Sequence, residues 1–165
     1  MIEIVCQRTI EAPVQHVWDL IEPVERLPEW FSGTGTAVLL AGRAVGRKQR
    51  VSGRWGSHGF EIDQTVTQYE PPRVLGWRHD AERLDGRQAP RISRQIEFCI
   101  QLEPVGQRTR VELVSRHVPD NVLKGLIIHL IAAPRIRRML NASLDTMTAI
   151  LAPSGGGNRA GSRVD

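Results

Sequence analysis

The chain has 165 residues, enough for one domain that removes roughly 70% of its unfolded surface from water. Its longest apolar run, Gly125 to Ala133, is interrupted by His129 and ended by Pro134, well short of the eighteen or so residues of a membrane span. The net charge of +4 comes from 22 basic residues, 20 of them arginine, scattered among 18 acidic ones; with one tyrosine and three phenylalanines for base stacking, this favours a solvated basic face over a nucleic-acid surface.

The start, Met1-Ile2-Glu3-Ile4, lacks the basic region and cleavage site of a secretion signal. Ile2 to Ile10 reads as a strand. Ala12-Pro13 then opens a helix whose apolar face is Val14, Val17, Trp18 and Ile21, with proline near the first turn, where a missing N–H costs nothing. A second short helix, about Val24 to Trp30, ends before Ser32-Gly33-Thr34-Gly35. From Thr36 to Val118 the apolar period drops to two. Strands are predicted near Thr36–Leu40, Arg47–Trp55, His58–Tyr69, Val74–Asp80, Ile92–Glu103 and Arg108–Val118, separated by Ala41-Gly42, Gly56-Ser57, Pro71-Pro72, Asp85-Gly86 and Pro104-Val105-Gly106. Ala81 to Pro90 is the longest expected connection. Short turns make neighbours antiparallel.

The closing stretch, Asn121 to Leu151, reads as one long helix. Leu123, Leu126, Ile127, Leu130 and Ile131 recur at three- and four-residue steps, and Ile136, Met139, Leu140, Leu144, Met147 and Leu151 continue the pattern beyond Pro134, where a kink or break is expected. Such a stripe must be covered, and the preceding strands are the available cover. Residues 153–165, rich in Gly, Ser and Arg, read as a flexible tail. Cys6 and Cys99 fall in separate strands with opposite side-chain parity, which argues against a disulfide and for a reducing, cytoplasmic setting.

In Ile92–Glu103, Ile96, Phe98, Ile100 and Leu102 share one face, and Ser93, Gln95, Glu97 and Gln101 the other. In Arg108–Val118, Val111 and Leu113 oppose Arg110, Glu112 and Arg116. One face of the sheet is dry and the other wet. Pairing Leu102 with Thr109 would set Ile100 against Val111, Phe98 against Leu113, Ile96 against Ser115 and Arg94 against His117. The dry face thus turns polar at Arg94, Ser115 and His117.

The order strand, two small helices, six strands, long helix, together with Ala12-Pro13-Val14-Gln15-His16-Val17-Trp18 and Glu70-Pro71-Pro72-Arg73-Val74-Leu75-Gly76-Trp77, resembles the START-like superfamily of polyketide cyclases/dehydrases and lipid-transfer domains. The resemblance covers roughly residues 2 to 151. It implies an α+β helix-grip fold over residues 1–152: a curved seven-stranded antiparallel sheet around a long C-terminal helix, with two short helices between strands 1 and 2. It also implies a sheet–helix cavity for hydrophobic or amphipathic small molecules, which are mostly held by apolar walls with a few orienting polar groups.

Candidate lining residues are Trp77, Ile96, Phe98, Ile100, Val111, Leu113 and Ser115 from the strands and Leu126, Leu130 and Met139 from the helix. Trp30, Trp55 and Trp77 are core residues by default, and Trp77 on a central strand is the best placed to line a cavity. The five histidines form no ligand pair, Gly33-Thr34-Gly35 and Gly42 to Gly46 lack the features of phosphate cradles, and no Gly-x-Ser-x-Gly elbow occurs, so neither a metal nor another cofactor is expected. Acid–base chemistry remains. His117 suits proton transfer near neutrality, and Arg94 could hold an enolate or carboxylate oxygen. His58 shares the parity of Phe60 and Ile62 but opens its strand, and His129 lies on the helix between Ile128 and Leu130. Three function classes follow: carriage of a hydrophobic ligand such as a lipid or polyketide, cofactor-free cyclisation or dehydration by His117 and Arg94, and binding to a ribosome or other macromolecule through the Arg47-Lys48-Gln49-Arg50 and Arg54 region.

Overall fold

The computed structural model describes residues 1–90 and 92–153; apart from Pro153, the expected 153–165 tail lies outside them. Strand β1 (Ile2–Ile10) leads into helix α1 (Val14–Ile21), a single 3-10 turn (Val24–Arg26) and the four-residue helix α2 (Leu27–Trp30). Strands β2 (Thr34–Ala41), β3 (Lys48–Trp55), β4 (His58–Glu70), β5 (Val74–Leu84), β6 (Arg87–Gln88), β7 (Ser93–Val105) and β8 (Arg108–Pro119) follow. The sheet runs β1-β8-β7-β5-β4-β3-β2, antiparallel throughout, with β6 a short addition to β5. Its seven long strands are those expected. The stretch expected as an open connection, Ala81 to Pro90, is instead largely paired: β5 continues to Leu84, and Asp85-Gly86, both at positive φ, turns the chain into β6.

The terminal helix is α3 (Val122–Ile127), a wide π turn (Ile128–Ala132) and α4 (Ala133–Ile150), without interruption. Asn121 caps its start, the side-chain oxygen accepting from the Lys124 amide at 2.8 Å. The break expected at Pro134 does not occur, and the turn before it is widened instead. The Ala133 N–H reaches back five residues to the Ile128 carbonyl, and Pro134 falls in the first turn of α4, where no N–H is required.

α4 fills the concave face of the sheet. Leu140, Leu144 and Met147 are fully buried in one cluster with Ile4, Ile10, Trp77, Phe98, Ile100, Leu102, Val111 and Leu113 from the strands and Leu27 and Trp30 from α2. The Ser143 hydroxyl accepts from the Ser32 amide at 2.9 Å and donates to the Met139 carbonyl at 2.8 Å, so the polar group inside this seam is satisfied twice. Packing therefore occupies the α4 half of the space in which a hollow was expected. The other half differs. α3 has no buried residue, its main sheet contact is with β8, and only Ile128 of the wide turn is enclosed. Leu126 and Leu130, expected to line a cavity, are 52% and 63% exposed.

The β7–β8 parity is as expected, but the register is two residues further on. Leu102 faces Val111, Ile100 faces Leu113, Phe98 faces Ser115 and Ile96 faces His117. The ladder continues through Pro104–Thr109 and Val105–Arg108, so Gly106, at φ +63°, and Gln107 alone make the turn. At the far end the register slips between Ser93 and Gln95, and Arg94 occupies that bulge without a partner across the ladder. It cannot face His117 as expected.

Truncating the α4 seam should be costly and truncating α3 cheap. Leu144→Ala is expected to lose about 2–5 kcal/mol and Leu123→Ala under about 0.5 kcal/mol, measured as shifts in urea midpoint at constant slope. Equal costs would show that α3 is packed as tightly as α4.

Candidate functional site

The ladders place inward-facing side chains in rows across the sheet. The first row is Val66, Trp77, Phe98, Ser115 and Ile4, each directly opposite the next. Its aromatic rings pack closely: Trp77 and Phe98 centroids are 4.7 Å apart, and Phe31, from the end of α2, meets Phe98 edge-on at 5.1 Å. One pleat further from α4, Gln49 faces Gln64, Gln64 faces His79, and Ile96 faces His117. Beyond them Val51 faces Ile62 and Ile62 faces Glu82.

The second row is polar on a face that is otherwise apolar. The Gln49 side-chain amide donates to the Gln64 oxygen at 2.9 Å, while the buried Gln49 Oε1 has no partner. His79 Nδ1 lies 2.6 Å from Glu82 Oε1, and His117 Nε2 lies 2.9 Å from Ser115 Oγ, where either atom can donate. His117 is 7% exposed. Burial holds its pKa below the usual 6.5, the charge of nearby His79 pushes the same way, and the Glu82 carboxylate opposes both. Glu82 is itself held below its ordinary value, chiefly by its bond to His79. Ser115, His117, His79 and Glu82 thus form a group that can accept, donate or share a proton next to the aromatic row. Phe60, Ile62 and Ile96 beside it are only half-buried, so this part of the face is incompletely covered.

Of the residues singled out in the sequence, Trp77, Phe98, Ile100, Val111, Leu113, Ser115 and His117 lie together on the inner face. Ile96 and Met139 lie at its half-buried margin. Arg94 does not join them: its side chain is 68% exposed, 4.0 Å from Asp120. Leu126 and Leu130 stand outward. Trp55 is exposed at the tip of the β3–β4 hairpin, where His58 bonds Asp85 at 2.6 Å, and His129 is also exposed. The basic run on β3 is dispersed. Buried Arg47 bonds the Glu22 carbonyl and carboxylate, both at 3.0 Å, Arg50 pairs with Asp63 at 2.6 Å, and Gln49 points inward.

Sequence reasoning missed Gln49, Gln64, His79 and Glu82. Three of them carried a signal, since Gln49 shares parity with Val51, Gln64 with Ile62 and Val66, and His79 with Leu75 and Trp77. Polar residues in the dry register of strands were the clue. Two clefts, of about 320 and 350 Å³, lie away from both the sheet–α4 seam and this cluster. One is lined by Glu22, Arg43, Arg47 and Tyr69, the other by Gln7, Arg73, Glu103 and Arg110. Among the described residues no group of His, Cys, Asp and Glu could hold a metal ion, and no helix is long and apolar enough to cross a membrane.

An antiparallel sheet gripping a terminal helix, with two small helices after the first strand, defines the helix-grip class. Residues 1–152 match the family model described as polyketide cyclase/dehydrase and lipid transport, and the chain belongs to that family. No curated protein sequence matches it. Among solved structures it is similar to BexL, a di-domain ARO/CYC from the BE-7585A biosynthetic pathway, with a TM-score of 0.76 and 15% identity over 93% of this chain and 48% of that one. It is also similar to XoxI from Bacillus cereus (TM-score 0.70, 17% identity, 92% and 96% covered) and to ginseng major latex-like protein 151 from Panax ginseng (TM-score 0.68, 11% identity, 92% and 97% covered). At these identities the likeness is one of fold.

Because His117 is depressed below 6.5 in the folded protein, the unfolded chain binds that proton more tightly. Its contribution to stability is complete above about pH 6.5 and is lost as the pH falls through the lowered value. The urea-derived stability of the wild type should therefore decline more steeply than that of His117→Gln as the pH falls below about 6.5. Parallel profiles would show that burial does not perturb this ring.

Proposed function

We propose that the protein binds a hydrophobic or amphipathic small molecule of lipid or polyketide character. Its apolar body lies against Phe60, Ile62 and Ile96, and its polar group is directed to the Ser115, His117, His79 and Glu82 cluster. One observation carries this reading: ionisable groups sit on the concealed face of the sheet, at the end where the helix leaves apolar side chains half-covered. The groups are bonded in pairs, Ser115 with His117 and His79 with Glu82, beside half-covered apolar side chains, and a few orienting polar groups among apolar walls are what a ligand site requires. The unpaired, buried cysteines fit a reducing compartment such as the cytoplasm.

Native mass spectrometry of freshly purified protein should show a retained apolar adduct. Anilinonaphthalene sulfonate should bind with enhanced, blue-shifted emission, and Ile96→Asp should weaken it about tenfold or more, the cost of placing a carboxylate in the apolar wall. Absence of both adduct and dye binding would refute ligand carriage.

The 2.9 Å contact between Ser115 Oγ and His117 Nε2 favours a second reading, cofactor-free cyclisation or dehydration with His117 as the base. Arg94 has no part in it, being outside the cluster. On a poly-β-ketone substrate His117→Ala should then lose about 100-fold or more in kcat while dye binding persists, and Arg94→Ala should retain wild-type rate. Equal turnover by wild type and His117→Ala would leave carriage as the function.

A further inference from the structure

Antiparallel pairing brings one set of chain segments to the same end of the sheet: the β3–β4 hairpin tip, the β5–β6 turn, the starts of β1 and β7, the end of β8, and α3. Exposed apolar side chains concentrate there. Trp55 stands out from the hairpin tip and Ile92 precedes β7. Val122, Leu123, Leu126, Ile127, Leu130 and Ile131 share the outward face of α3 and the wide turn, while Ile128 on the opposite side is enclosed. Leaving this many large apolar groups in water is unfavourable, and contiguous patches of this kind mark contact surfaces.

Charge identifies the contact. Between Asp120 and Asp145 the chain has no acidic residue and four basic ones, Lys124, Arg135, Arg137 and Arg138. The three arginines are exposed on the first turns of α4, directly after the apolar segment, and Arg54, Arg87 and Arg94 are exposed at the same end of the sheet. Acidic groups nearby are already partnered: Asp85 is hydrogen-bonded to His58, Glu61 pairs with Arg83, and Asp120 pairs with Lys124. A second copy of the chain would bring like charges together across a two-fold axis, whereas an anionic bilayer offers phosphates to the arginines and acyl chains to the leucines.

We propose that α3 and the wide turn dock on anionic lipid bilayers, with Leu123, Leu126, Ile127, Leu130 and Ile131 entering the interface, Trp55 seated at the headgroups, and Arg135 and Arg138 contacting lipid phosphates. The orientation turns the end of the sheet that carries half-buried Phe60, Ile62 and Ile96 toward the membrane. This docking needs no ligand at the proposed site.

The test is co-sedimentation of the full chain with vesicles of phosphatidylcholine alone and of phosphatidylcholine mixed with phosphatidylglycerol. Wild type should bind the mixed vesicles and lose binding as salt is raised. Leu123→Asp and Arg135→Glu with Arg138→Glu should each reduce the partition coefficient about tenfold or more, with melting temperature and circular dichroism unchanged because these side chains are exposed. His117→Ala should sediment with vesicles as wild type does, so failure of docking and failure of the proposed ligand site are separately visible. Wild type that ignores both vesicle types overturns the proposal, as does binding untouched by the substitutions. Concentration-dependent dimers that Leu123→Asp dissolves would overturn it in favour of self-association.

Discussion

The seam between α4 and the concave sheet governs the molecule. Leu140, Leu144 and Met147 close over Trp77, Phe98, Ile100 and Leu113, and each contributes the transfer energy of a fully enclosed side chain, on the order of 1.5–3 kcal/mol. The strongly curved antiparallel ladder supplies the matching surface, and the small helices seal one end with Leu27 and Trp30. A straight rod can lie in close contact with only part of a twisted surface. Once α4 is seated, the preceding α3 leaves the sheet, and apolar strand positions there remain half-covered. The filled core and the open end are consequences of the same contact.

That division sorts the polar groups. Near α4 the interior tolerates hydroxyls that are bonded in place, such as Ser143. Away from it the face carries imidazoles, carboxamides and a carboxylate in neighbouring positions. Desolvation strong enough to keep His117 below its ordinary pKa, next to an ionised Glu82, sets an acceptor and a charge against an aromatic wall. Such a combination can orient an amphipathic molecule, and it is also the raw material of proton transfer. Family membership is compatible with both.

Much of this was legible in the sequence because side-chain parity survives errors in register. Displacing β8 by two residues left Ile100, Phe98, Val111, Leu113, Ser115 and His117 on the face where alternation put them. A single-residue irregularity is different. The bulge at Arg94 inverts direction locally, and no pattern in Ser93-Arg94-Gln95 announces it. Gln49 and Gln64 were overlooked because glutamine in a strand normally marks the wet side, and their mutual bond is visible only when β3 and β4 are aligned. Leu126 and Leu130 mislead for a third reason: helical spacing identifies a stripe but not whether anything lies across from it.

The widened turn at Ile128–Ala132 has a geometric consequence of its own. A turn containing an additional residue keeps the backbone bonded while rotating everything upstream relative to everything downstream. The leucines of α3 and those of α4 share one sequence rhythm yet point along different bearings, like two cranks on a shaft set out of phase. One extra residue beside Pro134 thereby converts what would be a single buried stripe into two surfaces, an inner one that belongs to the protein and an outer one available to its surroundings.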